Sequence, residues 1–315
     1  NGFSSVVKGE AEITAFKVFG DAIWGTLEKE YLGELPDIDK LPMPARDMLH
    51  FDAWANKEIV RGHLGTSVLG SRGCPYRCDY CSEPKIFGRK VRFRTPELVA
   101  GEIAYLKCRY GITGFRFHDD LLTLKQSWLE KLCQLLEPLQ ISFRCNARVD
   151  TLTLEKCRML KQAGCIDVGL GIESIYQPCL DFIHKGQTVE QCENAIDLLR
   201  EAGIQSRVFL IVGLPGDVGD ISGRSIAFLD RTRPDGIDLN TFVPLPGSSI
   251  YETPEQYRLL FRPNFSLANL AMLRGLDEAD DDFVIEYPEM SNEQLKHHRR
   301  RLLEYVEERK LNVDD

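Results

Sequence analysis

Three cysteines, Cys74, Cys78 and Cys81, fall at the spacing CxxxCxxC in the stretch Ser71-Arg72-Gly73-Cys74-Pro75-Tyr76-Arg77-Cys78-Asp79-Tyr80-Cys81. Thiolates this close in sequence can converge on one metal centre, and soft sulfur ligands select zinc or iron-sulfur clusters. A structural zinc site wants four ligands, usually from two paired halves, and a common iron-sulfur cluster also wants four. The next cysteine, Cys108, lies in a predicted helix without a CxxC partner. A three-cysteine loop standing alone points to a cubane with one iron left open to a ligand that is not protein; zinc, or three unrelated buried thiols, are the alternatives.

Such a loop needs a frame. From residue 66 the pattern reads strand, loop, helix, repeated. A helix is expected from the N-cap Thr95 and first-turn Pro96 to about Arg109. A strand over 114–117 ends in His118-Asp119-Asp120, a helix covers 125–137, and a strand over 141–145 ends at Asn146-Ala147-Arg148. Helix 153–163 leads to a strand over 165–170 that ends in Gly171-Ile172-Glu173-Ser174, and a capping box at Thr188 and Gln191 starts a helix ending near Gly203. Strand 207–212 ends in Gly213-Leu214-Pro215-Gly216-Asp217, helix 220–231 follows, and strand 236–243 is the last of six. Strands alternating with helices of this length argue an α/β fold with a parallel sheet and right-handed crossovers. Six units are too few for a closed eight-fold barrel, so a curved partial barrel is expected, with chemistry at the C-terminal strand ends.

The stretch SRGCPYRCDYCSEPKIFGRKVRFRTPELVAGEI resembles the cluster loop and first helix of the radical S-adenosylmethionine (radical SAM) superfamily, and within it the branch that usually carries a cobalamin-binding domain in front. The similarity runs over roughly residues 66 to 250. It implies a partial (β/α)6 barrel of the radical SAM type, with a short N-terminal segment at 1–65 and a C-terminal helical extension at 251–315. It further implies that Cys74, Cys78 and Cys81 hold a 4Fe-4S cluster whose open iron is chelated by the amino and carboxylate groups of S-adenosylmethionine. That molecule is then cleaved to methionine and a 5′-deoxyadenosyl radical. The branch implies cobalamin-linked methyl transfer to an unactivated carbon. Radical rearrangement or cyclisation and sulfur insertion are the other enzyme readings, and a cluster-bearing binding or regulatory module is the non-enzyme one. The resemblance also implies a small-molecule substrate and a reductant such as flavodoxin or ferredoxin.

Within this frame Tyr80, just before the third cysteine, matches an aromatic near the adenine, with core filling as its alternative. Asp119 and Asp120 stand where the family often has a GGE-like segment that contacts the amino group; this sequence departs from that pattern, and paired aspartates also cap helices. Glu173 matches the ribose-contact region, against the alternative of a salt-bridged glutamate at the barrel mouth. Arg207 is a candidate bidentate donor to a cofactor carboxylate. Arg72, Arg77 and Lys85 surround the loop with positive charge, which favours thiolates. No histidine has an aspartate two residues before it and a glycine three after, so the DxHxxG cobalamin motif is absent from this sequence.

Composition sets the outer bounds. The 315 residues are 43% hydrophobic and 28% charged, an ordinary globular balance. With a net charge of -9 and no basic run longer than Arg299-Arg300-Arg301, no nucleic-acid partner is expected, although an acidic protein can still carry a local basic groove. Apolar runs such as 208–212 are far below a membrane span, and no secretory signal is visible. Seven further cysteines are scattered through helix-like and strand-like segments and read as buried thiols in a reducing cytoplasm. The chain opens on Asn1, so an N-terminal part is expected to be missing. Residues 1–32 carry a short strand, a turn at Lys8-Gly9-Glu10 and a helical stretch through Tyr31; in the cobalamin-associated branch a segment similar to VVKGEAEIT closes the cobalamin domain, with a helical N-terminal appendage as the alternative. Residues 33–47 hold three prolines and read as an extended linker. The acidic run 277–282 reads as a solvated loop, and a capping box at Ser291 and Gln294 starts a charged terminal helix.

Overall fold

The computed structural model describes residues 3–261 and 283–311. The chain packs as two compact units, residues 1–76 with 82–143 and residues 77–81 with 144–315.

The first unit opens with β1 (Val6–Lys8), α1 (Thr14–Trp24) and β2 (Glu30–Leu32), and the two strands run parallel with Val7 opposite Tyr31. The helix expected through Tyr31 ends early. Gly25 caps α1 in the left-handed conformation, and buried Tyr31 donates its hydroxyl to Asp21 Oδ2 at 2.7 Å. Then follow β3 (Asn56–Val60), β4 (His63–Val68), β5 (Ser71–Arg72), α2 (Glu83–Ile86), β6 (Arg92–Phe93), α3 (Pro96–Tyr110), β7 (Gly114–Phe117) and α4 (Gln126–Leu136). β4 pairs parallel with β7 and antiparallel with β3, an edge strand that the sequence pattern did not disclose. On α3, Val99, Ile103 and Leu106 recur at helical spacing and are buried, as are Phe115 and Phe117 of β7. The rings of Phe117 and Phe143 meet edge to face at 5.3 Å. Each such side chain contributes about 1.5–3 kcal/mol by leaving water.

β8 (Ser142–Ala147) begins in the first unit and continues in the second, which adds α5 (Leu154–Gln162), β9 (Cys165–Glu173), α6 (Gln177–Phe182), α7 (Val189–Ala202), β10 (Gln205–Val212), α8 (Ile221–Thr232), β11 (Gly236–Thr241) and α9 (Ser249–Glu252). Two short strands, β12 (Leu260–Phe261) and β13 (Ile285–Glu286), precede the terminal helix Asn292–Arg309. Both expected capping boxes form, Thr188 with Gln191 and Ser291 with Gln294. β9 outruns its expected end at residue 170 and reaches Glu173. The sheet order is β11-β10-β9-β8-β7-β4-β3, with β9 parallel to β10 and β10 parallel to β11. This is the partial (β/α)6 barrel expected from sequence, extended by the antiparallel β3.

The C-terminal extension shares a core with the barrel strands of its unit. Leu259, Phe283, Ile285, Leu295 and Leu302 pack in one cluster with Val212, Leu214 and Phe242. The acidic run 277–282 lies outside the described residues. Among the described residues no helix is long and apolar enough to cross a membrane.

Candidate functional site

The approach to the cysteine loop is fixed within the first unit. β5 pairs with β6, and Cys74 N–H donates to Gly88 O at 3.2 Å. Gly73 sits at φ 96°, where a Cβ would come within 2.7 Å of Lys90 O, so this turn requires glycine. Asp119, at the end of β7 and 1% exposed, accepts from Gly70 N–H at 2.8 Å and from the Ser71 hydroxyl at 2.6 Å. Burial pushes its carboxyl up to about 6, against the pull of these hydrogen bonds. Its two oxygens hold the residues that lead into the loop. Asp120 is half-buried beside it and is pushed up to about 7 by burial and by the negative charges of Glu83 and Asp119.

Arg72 corrects an expectation. Its guanidinium pairs with Glu10 at 2.5 Å and Glu12 at 2.6 Å, so its charge is neutralised by the N-terminal segment. Glu10 is buried and also pairs with Arg92, which ties that segment to the β5–β6 hairpin. Glu102 does the same for the linker by pairing with Arg46 at 2.8 Å and Arg94 at 2.7 Å.

The second unit holds residues 77–81. Asp79 N–H donates to Ile183 O at 3.0 Å, Ile250 N–H donates to Asp79 O at 3.1 Å, and Asp79 Oδ2 meets His184 Nδ1 at 2.5 Å. Tyr80 donates its hydroxyl to Glu173 Oε1 at 3.1 Å and accepts from Lys185 Nζ at 2.8 Å. Lys185 Nζ also donates to Glu173 Oε1, at 3.0 Å, which closes a ring of three hydrogen bonds. Burial, joined by the negative charges of Glu173, Cys78 and Cys81, pushes the Tyr80 phenol well above its ordinary value, so it stays a donor. Glu173 itself adopts φ 68°, a left-handed conformation that a glutamate occupies at an energetic cost. Strain at a strand end, beside a buried lysine and tyrosine, marks a side chain that the surrounding structure holds in place.

Two residues of this network were not sequence candidates. Lys185 gives no local signal, since its partners lie 12 and 105 positions away. Arg148 had one, its place at the end of β8. It donates to Asp150 at 2.9 Å and 3.2 Å and to the Lys185 carbonyl at 2.8 Å, and its Nη1 reaches Cys78 Sγ at 3.7 Å. Positive charge next to a loop thiol therefore comes from Arg148, not Arg72. Arg207 also departs from its expected role. It is 3% exposed, sits near the start of β10, and pairs with two protein carboxylates, Asp167 at 3.1 Å and Asp238 at 3.0 Å, in place of a cofactor carboxylate.

No disulfide joins any of the ten cysteines. Six are buried, and burial raises Cys157 to about 11 and Cys192 to about 12, which keeps them inert thiols. Cys74, Cys78 and Cys81 are half-buried instead; Cys74 belongs to the first unit and the other two to the second. Among the described residues no three His, Cys, Asp or Glu side chains stand assembled as a metal site. The donor set nonetheless fits an iron-sulfur cluster: three soft, accessible sulfurs on one loop, with a guanidinium N–H directed at one of them.

The sequence model of the radical SAM superfamily matches residues 68–220. An uncharacterized methyltransferase of Pyrococcus horikoshii is 30% identical over 280 residues, which span 83% of this chain and 60% of that protein. An anaerobic magnesium-protoporphyrin IX monomethyl ester cyclase of Rubrivivax gelatinosus is 32% identical over 186 residues, 58% of this chain and 33% of that protein. The chain thus spans under two thirds of the length of these relatives. In fold it is similar to the radical S-adenosylmethionine methyltransferase TsrM from Kitasatospora setae, solved with cobalamin and a 4Fe-4S cluster. The TM-score is 0.57 at 20% identity, over 75% of this chain and 46% of that one.

Proposed function

The chain carries the radical S-adenosylmethionine superfamily domain over residues 68–220, and from that premise we propose an enzyme that reductively cleaves S-adenosylmethionine and transfers a methyl group to an unactivated carbon with the help of cobalamin. Cys74, Cys78 and Cys81 hold the 4Fe-4S cluster. When bound, the cluster supplies the electron that cleaves S-adenosylmethionine to methionine and the 5′-deoxyadenosyl radical. The ring of hydrogen bonds among Tyr80, Glu173 and Lys185 carries this reading, because it fixes a tyrosine immediately before Cys81 and a carboxylate at a strand end in one network.

In this assignment the Tyr80 ring packs on the adenine and Glu173 accepts from a ribose hydroxyl. Asp120 takes the substrate ammonium, whose charge offsets the repulsion that Glu83 and Asp119 impose on it. Asp119 keeps a positioning role through Gly70 and Ser71. Methyl transfer is favoured over the alternatives by the name of the Pyrococcus horikoshii relative and by the cobalamin in the TsrM structure. The parallel β1–α1–β2 unit, of the kind that builds doubly wound sheets, is a further support. A radical cyclisation is the second reading, favoured by the Rubrivivax gelatinosus cyclase. The absence of disulfides suits a reducing cytoplasm, with a flavodoxin or ferredoxin as reductant and a small molecule as substrate.

The test is anaerobic incubation of reconstituted protein with dithionite and S-adenosylmethionine, with and without methylcobalamin, and mass spectrometry of the products. Formation of 5′-deoxyadenosine that is lost in Cys78→Ala is expected, with S-adenosylhomocysteine appearing only when cobalamin is present. Production of neither compound by protein carrying about four irons per chain would overturn the proposal.

A further inference from the structure

Arg148 has no part in the assignment above, yet it is a buried and firmly anchored cation of the second unit. Its side chain is 7% exposed. Nε and Nη2 donate to the two oxygens of Asp150 at 2.9 Å and 3.2 Å, and Nη2 also donates to the carbonyls of Lys185 at 2.8 Å and Gly186 at 3.3 Å. These bonds fix the plane of the guanidinium. The geometry leaves Nη1 directed at Cys78 Sγ, 3.7 Å away.

We propose that Arg148 sets the reduction potential of the cluster held at Cys78, by donating an N–H to the ligand sulfur and placing a buried positive charge beside it. The inference rests on the reading of Cys78 as a cluster ligand. Reduction adds one electron, supplied by the external reductant, and so adds one negative charge to the site. A fixed cation and a hydrogen bond to sulfur stabilise that more negative form over the oxidised one, and hydrogen bonds to cluster sulfurs are a main determinant of potential. Arginine serves here because it never deprotonates and its planar fork can bind Asp150 and still present a further N–H. Asp150 opposes the effect by neutralising part of the charge. Arg148 thereby joins two parts of the site, since the carbonyls it grips belong to the turn that carries Lys185, the lysine bound to Tyr80 and Glu173.

The opposed roles of Arg148 and Asp150 give a test by sign. The full chain is reconstituted anaerobically as wild type, Arg148→Met, Arg148→Lys and Asp150→Asn, assayed for iron and sulfide, and titrated potentiometrically while the reduced cluster is followed by electron paramagnetic resonance. Arg148→Met is expected to shift the reduction equilibrium about tenfold toward the oxidised cluster, a fall of about 59 mV for one electron. Arg148→Lys keeps the charge without the fork and falls between. Asp150→Asn moves the potential in the opposite direction, upward, by a smaller factor. A role confined to holding the 184–187 turn would leave all four potentials alike. Equal potentials at equal iron content, or shifts of the same sign in Arg148→Met and Asp150→Asn, overturn the inference while leaving the cluster reading intact. A wild type that takes up no iron-sulfur cluster overturns both. If Arg148→Met does not fold, the sign of the Asp150→Asn shift decides alone.

Discussion

Asp119 and Glu173 occupy equivalent places in the chain, each a carboxylate at the C-terminal end of a barrel strand, and their surroundings give them different work. Asp119 is consumed by the residues that lead into the cysteine loop: both oxygens are bound, one to Gly70 N–H and one to the Ser71 hydroxyl. Glu173 is held through one oxygen by two side chains, a tyrosine next to Cys81 and a buried lysine, on a strained backbone. A strand-end position says where a carboxylate stands. Its partners say whether it shapes a loop or handles a ligand.

Substitutions can separate the two roles. The largest expected effect is in Glu173→Gln, which keeps shape but removes the charge facing Lys185. Formation of 5′-deoxyadenosine should drop on the order of 10²-fold, at the upper range for a residue that supports a metal site, with iron content unchanged. Asp119→Ala should show the reverse pattern. It strands two buried donors and destabilises the first unit by about 2–4 kcal/mol, so iron uptake during reconstitution falls before any kinetic defect appears. Iron loss in Glu173→Gln, or full iron with a large rate defect in Asp119→Ala, would exchange the two assignments. Tyr80→Phe sharpens the comparison at smaller amplitude. The ring remains, and Lys185 and Glu173 still meet directly at 3.0 Å, so a loss of less than about tenfold is expected, the low end of the same range. A loss as deep as that of Glu173→Gln would show that the hydroxyl, not the carboxylate, is the essential group.

Much of this frame was legible in the sequence. The capping boxes at Thr188 and Ser291, the Thr95-Pro96 helix start and the six alternating strands all carry local signals, because caps and periodicity act over a few residues. The cysteine loop was legible for the same reason. Misreadings arose where a partner lies far along the chain. Tyr31 continues the apolar pattern of a helix, yet it sits in a strand because Val7 pairs opposite it. Arg72 lies two residues from Cys74, yet its charge is taken by Glu10, 62 positions away. Arg207 is drawn to Asp167 and Asp238 on neighbouring strands, since a buried guanidinium must be paired. Lys185 and Arg148 draw their importance from contacts that only the fold creates.

Asp120 gives the smallest and most specific prediction. Burial, and then the charges of Glu83 and Asp119, raise its carboxyl from the ordinary 3.8 to about 7 in the folded protein. The folded state therefore holds a proton that the unfolded chain has already released. The stability associated with this proton is fully present below the unfolded value and is lost as pH rises through about 7. Asparagine cannot ionise and escapes the loss. Melting curves of the full chain should accordingly show Asp120→Asn and wild type nearly level at about pH 3, where folded and unfolded chains both hold the proton, with the gap opening between about pH 4 and about pH 7. The variant should lead by about 1–2 kcal/mol at about pH 8, after allowance for solvent screening of a partly exposed group. A bound ammonium group would supply the missing counter-charge, so S-adenosylmethionine added to the reconstituted wild type should shrink that gap. If the gap is insensitive to S-adenosylmethionine, the carboxylate that receives the ammonium is not Asp120. If the pH dependence persists unchanged in Asp120→Asn, it belongs to Asp119, and the loop-holding carboxylate is then the one that pays for its burial in charge.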